Sequence, residues 1–206
     1  ANPADDTLST SVNIMDGFTN YGWIAGADMS TAYFDPAAAS LNTNDTSYLF
    51  HLGGAAAAIA AEADRYAPYN NTWTPINSIT TGAYVAGGAG VNGKVYFIGG
   101  YNPNFTPLAD NQVYDMTTGN WGSAAAMPIP VGDFAVGIYG DLIYCIAGFD
   151  GTSDQDAVQI YNTTTDTWTT GTAYPYASAG LRGGIVGNKI VVSGGYAQSA
   201  GAPAAT

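Results

Sequence analysis

The sequence predicts an all-β domain made of four repeats, each with four short strands. Three observations carry this prediction: evenly spaced tryptophans, a tyrosine at a fixed distance before three of them, and strand-like runs that end in glycine. The tryptophans are 50, 48 and 47 residues apart, at Trp23, Trp73, Trp121 and Trp168. The tyrosines stand seven residues earlier, at Tyr66, Tyr114 and Tyr161. Self-similarity at such a period is the signature of a repeat architecture.

Each repeat contains a run of β-branched and aromatic residues that ends in Gly-Gly or Ala-Gly, as a strand followed by a turn does. The four runs are 48–54, 94–100, 142–148 and 189–195. A glycine-rich stretch precedes each of the last three runs. Two further short strands follow the first three runs, one carrying the tyrosine and one opening on the tryptophan. We name the strands of a repeat a (glycine-rich), b (ending in glycine), c (tyrosine) and d (tryptophan).

At this point the sequence resembles the kelch repeat, which has Gly-Gly after strand b and Tyr-Asp-Pro-x-Thr-x-x-Trp across strands c and d. Met-Pro often follows that tryptophan. The segments GGYNP, VYDMTTGNW, AGFDG and IYNTTTDTW resemble this pattern, and so does Met127–Pro128. The resemblance covers nearly the whole chain and weakens in residues 1–47. It implies a β-propeller whose a strands line the central axis, where glycine and alanine suit the crowding of inner strands.

The repeats are offset around the expected ring. Strands a and b occur at 179–195 without a following c and d, whereas 11–16 and 23–29 resemble c and d without a preceding a and b. Joining the N-terminal and C-terminal strands completes a fourth blade and leaves no open edge. We therefore predict one kelch-like propeller over residues 1–197, with 198–206 as a disordered tail or linker. Because kelch propellers more often have six or seven blades, a truncated larger propeller and an edge completed by another subunit are alternatives.

The charge balance argues against several classes of partner. Four basic residues against 16 acidic ones give a net charge of −12. Such a field repels phosphate backbones and anionic lipid, so we expect neither nucleic acid nor a membrane surface as partner. The longest stretch of low polarity, 53–63, contains Glu62, and we expect no insertion into a membrane. The chain opens at Ala1 without methionine or leader, as after removal of a signal peptide or in an excised domain.

His51 and Cys145 are the only members of their residue types and invite a catalytic interpretation. The aligned b strands place them at one equivalent position, which Phe97 and Val192 occupy in the sister repeats. A position that accepts phenylalanine and valine is a core position. We therefore interpret both residues as structural and predict no catalytic residues and no enzymatic activity.

No pattern predicts a metal or a cofactor. Asp150, Asp154 and Asp156 supply only three carboxylates and lack the spacing of an EF-hand. One histidine cannot provide the ligands of a copper site of the galactose oxidase kind. A carboxylate pair for glycoside cleavage is compatible with the composition, but nothing singles out such a pair.

Two sets of surface residues are candidates for modification or binding. Asparagine sequons, which would carry glycans in a secreted protein, occur at Asn44, Asn70, Asn104 and Asn162. All four fall in expected turns, as glycan acceptors usually do, although asparagine favours turns in any case. An aromatic residue directly follows three of the glycine pairs and opens the b–c loop. These candidate contacts with a partner or a sugar are Tyr101, Phe149 and Tyr196.

The leading hypothesis is a non-enzymatic extracellular or cell-surface propeller that serves as a structural or adhesive module and binds other copies of itself in a polymer or filament. The apolar b–c loop AAAAIAAEAD supports it, either as an exposed contact patch or, more neutrally, as a helical turn packed on its own blade. The alternative hypothesis is a secreted propeller that binds or cleaves carbohydrate with loop aromatics and carboxylates. An intracellular adaptor is least favoured, because the partner domains of such adaptors are absent from this sequence.

Overall fold

The computed structural model describes residues 11–15, 23–43, 46–197 and 202–203, and these residues form seventeen strands and no helix. The N-terminal half-blade is a two-stranded sheet of β1 (Ser11–Met15) and β2 (Trp23–Asp28). Blade 1 consists of β3 (Ala37–Thr43), β4 (Thr46–Leu52), β5 (Ala63–Ala67) and β6 (Thr72–Pro75). Blade 2 consists of β7 (Gly87–Val91), β8 (Lys94–Ile98), β9 (Asn111–Asp115) and β10 (Asn120–Ser123).

Blade 3 consists of β11 (Ala135–Tyr139), β12 (Leu142–Phe149), β13 (Asp154–Asn162) and β14 (Thr167–Thr170). The C-terminal half-blade is a sheet of β15 (Ala179–Val186), β16 (Lys189–Ala197) and β17 (Ala202–Pro203). All pairings are antiparallel, and the three complete blades follow the predicted order a, b, c, d. The predicted β-propeller fold is therefore confirmed.

The tyrosine and the tryptophan of each complete blade face each other across strands c and d. The pairs are Tyr66 with Trp73, Tyr114 with Trp121, and Tyr161 with Trp168. Their ring centroids lie 5.1 to 5.4 Å apart, and the tyrosine rings are buried. The constant seven-residue spacing in the three repeats thus reflects one buried tyrosine packed against one tryptophan per blade.

Each tryptophan also joins its blade to the preceding one. The indole N–H donates to the carbonyl of the residue four positions after the preceding tryptophan. These bonds run from Trp73 to Ala27 (3.0 Å), from Trp121 to Asn77 (2.6 Å) and from Trp168 to Ala125 (2.7 Å). Since Ala27 lies four residues after the start of β2, the N-terminal half-blade stands where strands c and d of a blade preceding blade 1 would stand.

A second bond at each junction involves the residue two positions before the tryptophan. Asn71 Oδ1 accepts the Ala27 N–H, and Asp166 Oδ1 accepts the Ala125 N–H, each at 2.7 Å. Gly119 occupies this position in blade 2 and has no side-chain acceptor. Its partner Asn77 instead donates from Nδ2 to the Gly119 carbonyl at 2.7 Å, so the junction keeps two hydrogen bonds.

Asp166→Ala should lower the free energy of unfolding by about 1–2 kcal/mol, because the Ala125 N–H and the Tyr161 hydroxyl lose their acceptor and alanine is strained at φ 53°. Asp166→Asn is the matched control. It keeps an acceptor and places at this site the amide that Asn71 provides in blade 1, so we expect a loss below about 0.5 kcal/mol. Urea denaturation at pH 7 measures both.

The same pair of variants has an expected pH dependence. The Ala125 N–H, and then the Tyr161 hydroxyl, hold the pKa of Asp166 below its usual range. The stabilisation is therefore present at neutral pH and is lost as pH falls below about 4 and through the lowered folded-state pKa. Asp166→Asn should lose less stability than the wild type between pH 5 and pH 2. Equal acid losses in the two proteins would contradict the assignment.

The a strands β3, β7, β11 and β15 line a central cavity of about 490 Å³. They pack against one another in that order, and glycine permits the closest approach. A Cβ atom at Gly88 would lie against the Ala38 carbonyl oxygen, closer than real Cβ contacts allow. The glycine-rich composition of strand a therefore follows from backbone packing at the axis.

One part of the predicted architecture differs from the structure, namely the fourth blade formed from both chain ends. Within the described residues β1 pairs with β2, and β16 pairs with β15 and β17 but not with β1. The physical reason is that β17 occupies the outer edge of β16 at Tyr196 and Ala197, while β1 forms its backbone pairing with β2.

The predicted disordered tail or linker also contains a short strand. Ala202 and Pro203 of β17 pair with Ala197 and Tyr196 of β16. Backbone pairing of this kind needs no hydrophobic pattern in the sequence, so the sequence of the tail did not predict this strand. Residues 198–201 and 204–206 lie outside the described part of the chain.

Candidate functional site

The structure brings the three predicted contact residues to one cavity. Tyr101, Phe149 and Tyr196 line a space of about 230 Å³ on the b–c loop side of the propeller, which we call the mouth site. The other residues that line it are Asp35, Tyr84, Val85, Phe105 and Asp133. Asp35, Val85 and Asp133 also line the central cavity, so the mouth site opens at the end of the channel between the inner strands.

Beneath the mouth site an open series of three backbone hydrogen bonds joins successive blades. Val85 N–H donates to the Asp35 carbonyl (3.0 Å), Asp133 N–H to Val85 (2.9 Å), and Gly180 N–H to Asp133 (2.9 Å). All four residues have left-handed φ values, of 48°, 46°, 58° and 70° in chain order. This conformation is strained for a β-branched residue such as Val85, and backbone strain of this kind concentrates at functional sites.

Tyr101 and Tyr196 have different roles in the mouth site. Tyr101 is only 7% exposed, and its hydroxyl donates to the Phe149 carbonyl at 2.7 Å, which ties blade 2 to blade 3. Its ring covers Gly132, where any Cβ atom would collide with the ring. Tyr196 is 39% exposed and can receive a ligand on its ring. Tyr101 therefore supports the site, while Phe149 and Tyr196 present surface to a ligand.

Sequence reasoning missed two aromatic walls of the site, Tyr84 and Phe105. Phe105 is 73% exposed, and its ring stands at 85° to that of Tyr84 with centroids 5.9 Å apart. A tight loop holds Phe105 at φ 57°, because Asn102 Oδ1 accepts the N–H groups of Asn104 and Thr106. The signal in the sequence was a phenylalanine inside a short polar loop, which alone does not indicate where the ring lies.

The mouth site contains two carboxylates in different electrostatic states. Asp133 lies 3.2 Å from Arg182 Nη1 and accepts the Tyr196 hydroxyl at 3.1 Å. Desolvation raises the pKa of Asp35, repulsion from Asp133 raises it further, and Arg182 opposes both effects. The Tyr84 hydroxyl is buried and has no hydrogen-bond partner in the described part of the chain. The site thus combines aromatic faces, negative charge and an unused hydroxyl.

His51 and Cys145 are buried in separate blades, and their interpretation as core residues is confirmed. Burial raises the pKa of the Cys145 thiol, which keeps it protonated and poorly nucleophilic. His51 lies against the ring of Tyr33, at 4.4 Å between centroids, with Nδ1 3.5 Å from an Asp64 carboxylate oxygen. Neither residue lines the mouth site.

The acidic loop of blade 3 uses its first carboxylate to order itself. Asp150 Oδ1 accepts the N–H groups of Thr152 (2.8 Å) and Ser153 (2.7 Å), and Oδ2 accepts from the Gln155 amide (2.8 Å). Across the described ranges, no group of three or more His, Cys, Asp or Glu side chains is arranged to hold a metal ion.

The sequons lie on two faces of the propeller. Asn70 and Asn162 lie at c–d turns, and Asn104 lies in a b–c loop beside Phe105, while Asn44 is outside the described residues. Asn70 and Asn104 are exposed. Asn162 Oδ1 accepts the N–H groups of residues 164 and 165, so this side chain is engaged in its own turn.

The apolar b–c loop of blade 1 is neither helical nor a broad exposed patch. Ala55 and Ile59 form an isolated β-bridge, and Ala60 is buried against Gly82 of the next linker. Only Ala57 and Ala58 of its alanine and isoleucine residues are exposed. The loop therefore packs on the propeller and offers little surface to a partner.

Comparison with known proteins agrees with this architecture. Residues 130–173 match the Kelch motif. A solved structure titled "Structure of YjhT" is similar with a TM-score of 0.76 at 17% identity, covering 91% of this chain and 72% of that one. At this identity the likeness concerns the fold alone. No curated protein matches the chain. No helix in the described residues is long and apolar enough to cross a membrane. The resemblance to kelch repeats is thereby confirmed.

Proposed function

We propose that this protein is a non-enzymatic binding module and that its ligand, bound at the mouth site, is a carbohydrate. The kelch-type propeller fold supports an interaction module in general. The observation that carries the proposal is the convergence of Phe149, Tyr196 and Phe105 with Asp35 and Asp133 around one cavity. Aromatic faces stack on the apolar faces of sugar rings, and carboxylates accept hydrogen bonds from hydroxyl groups, so this combination suits a sugar.

Tyr196→Ala and Phe149→Ala should each weaken sugar binding about tenfold or more, which corresponds to about 1.4 kcal/mol. Tyr139→Ala is the matched control, since Tyr139 is an exposed aromatic residue at the a–b turn of blade 3 and does not line the mouth site. A glycan array identifies the sugar, and titration calorimetry with that sugar measures the variants. No binding on the array, or equal weakening by Tyr139→Ala, would refute the proposal.

The proposed location is extracellular or at the cell surface. The exposed sequons at Asn70 and Asn104 support this location, because glycans are added in the secretory route. Intact-mass measurement of the native protein, before and after enzymatic removal of N-glycans, tests it. A mass equal to that of the bare polypeptide in both samples would remove the support that the sequons give.

A second candidate function is self-assembly, which the two half-blades favour. The outer edge of β16 (Lys189–Ala197) is paired only at Tyr196 and Ala197 within the described residues, and Val191 is 50% exposed there. The chain ends also have opposite charge. Residues 1–34 contain four aspartates and no basic residue, whereas 167–206 contain Arg182 and Lys189 and no acidic residue. An unpaired strand edge and complementary charge both favour addition of a second chain.

Light scattering over a wide concentration range, together with electron microscopy of the native material, tests self-assembly. We expect particles larger than one chain, which shrink as ionic strength rises because salt screens the attraction between the ends. A compact monomer at every concentration would contradict it.

A further inference from the structure

We infer that the carbohydrate bound at the mouth site carries a protonated amino group, as a hexosamine with a free amine does, and that Asp35 is its counter-ion. This inference rests on the proposed carbohydrate-binding function and names the class of sugar. Three features of the site carry it: the state of the two carboxylates, the arrangement of the aromatic rings, and a buried hydroxyl without a partner.

The first feature is that only one carboxylate of the mouth site is neutralised. Asp133 forms an ion pair with Arg182 at 3.2 Å and also accepts the Tyr196 hydroxyl. Within the described residues, Asp35 has no ion-pair partner, although it lines the same cavity. The site therefore keeps one uncompensated negative charge in a protein whose net charge is already −12. A neutral sugar would leave this charge unpaired on closing the cavity, whereas an ammonium group would neutralise it.

The second feature is an aromatic corner beside that charge. Tyr84 contacts Tyr101 and Phe105, with ring centroids 5.8 and 5.9 Å away and interplanar angles of 49° and 85°. A cation within about 6 Å of the centroid of an aromatic ring is attracted to the face of that ring, and the exposed ring of this corner is that of Phe105. The backbone at Phe105 is ordered by its own loop, in which Asn102 Oδ1 accepts the Asn104 N–H.

The third feature is the Tyr84 hydroxyl, which is buried without a hydrogen-bond partner. Buried polar groups without a partner are uncommon in folded proteins. The oxygen is covered in the free protein, so in the proposed complex the Tyr84 ring shifts to expose it, and the hydroxyl then accepts an N–H of the ammonium group or donates to a sugar hydroxyl. Either bond satisfies a group that the protein itself leaves unsatisfied.

The electrostatics of Asp35 favour the binding of a cation. Desolvation and then Asp133 raise the pKa of Asp35, and Arg182 lowers it. Desolvation raises the pKa of Tyr84, and the Asp35 carboxylate raises it further. A bound ammonium group would lower the pKa of Asp35, because an adjacent positive charge favours the ionised carboxylate. Binding should therefore weaken as pH falls through the pKa of Asp35, and it should weaken at high ionic strength.

Titration calorimetry with three probes tests the inference: glucosamine oligosaccharides, N-acetylglucosamine oligosaccharides of equal length, and tetramethylammonium. We expect the free-amine sugar to bind at least tenfold more tightly than the acetylated one. Asp35→Asn should abolish this preference, so that the two sugars bind with equal affinity. Asp141→Asn, which removes the same charge from an exposed turn between β11 and β12, should leave the preference intact. Circular dichroism establishes that both variants are folded.

Each other outcome of these titrations refutes a specific part of the inference or of the proposed function. If the two sugars bind equally tightly, carbohydrate binding stands and the ammonium group is refuted. If neither sugar nor any array glycan binds, the proposed function itself fails. If tetramethylammonium binds as tightly as the free-amine sugar, the cation site stands and carbohydrate recognition is refuted. A preference that survives Asp35→Asn refutes the role of Asp35.

Discussion

Gly88→Ala should lower the free energy of unfolding by about 3 kcal/mol, at the upper end of the usual cost of overpacking. Gly88 lies in β7, whose backbone packs on β3 at the axis of the propeller. A Cβ atom there would meet the carbonyl oxygen and carbon of Ala38, and backbone atoms cannot turn aside as a flexible side chain can. The two strands would have to separate, which loosens the packing of both blades. Urea denaturation followed by tryptophan fluorescence measures the loss.

Gly184→Ala provides the matched control on another inner strand. Gly184 lies in β15, no heavy atom stands within 4 Å of its ideal Cβ position, and its φ is not left-handed. We therefore expect a change within about 0.5 kcal/mol. A loss at Gly184 as large as that at Gly88 would contradict the open space beside β15. It would indicate that β15 packs against a further strand in solution, as in a closed ring.

The blades were predictable from sequence because each is defined by local, repeated contacts. Trp73 and Tyr66 face each other in one blade as Trp168 and Tyr161 do in another, so their spacing carries the strand register directly. The arrangement of the half-blades was not predictable in the same way. It depends on the rotation between successive blades, summed over the whole arc, and no single residue determines that rotation.

The mouth site was predictable only where the repeat places a residue at the same position in each blade. Tyr101 and Tyr196 were found because each follows a glycine pair. Phe105 lies in a b–c loop whose sequence differs from those of the other blades, and the loop conformation follows from the turn that Asn102 organises. Asp35 stands in no repeated motif, and its left-handed backbone and the hydrogen bond that its carbonyl accepts from the Val85 N–H join residues far apart in the sequence.

Gln159→Leu should lower the free energy of unfolding by about 2–3 kcal/mol, the cost of leaving two partly buried backbone groups without partners. Gln159 is 3% exposed and binds the linker between blades 2 and 3 through two hydrogen bonds to Ile129. Its Oε1 accepts the Ile129 N–H at 2.7 Å, and its Nε2 donates to the Ile129 carbonyl at 2.9 Å. Gln112 binds the linker between blades 1 and 2 in the same way: its Oε1 accepts the Thr81 N–H at 2.9 Å, and its Nε2 donates to the Thr81 carbonyl at 2.8 Å. Gln155→Leu, whose amide bonds only within its own loop, is the control and should cost less.

Gln159→Glu distinguishes the two hydrogen bonds between Gln159 and Ile129, because the new carboxyl group can donate a hydrogen bond only when it is protonated. At neutral pH the carboxylate still accepts the Ile129 N–H but faces the Ile129 carbonyl without a proton to donate, so we expect a loss similar to that of Gln159→Leu. Burial and the facing carbonyl favour the protonated acid, which raises its folded-state pKa above the unfolded value of about 4.3. The protonated acid accepts and donates as the amide does. Stability relative to wild type should therefore recover as pH falls toward 4 and decline again as pH rises through the folded-state pKa. A stability difference between Gln159→Glu and wild type that is the same at pH 4 and pH 7 would contradict this. It would mean that water donates to the Ile129 carbonyl in the variant, and that only the hydrogen bond from the Ile129 N–H joins the two blades at this position.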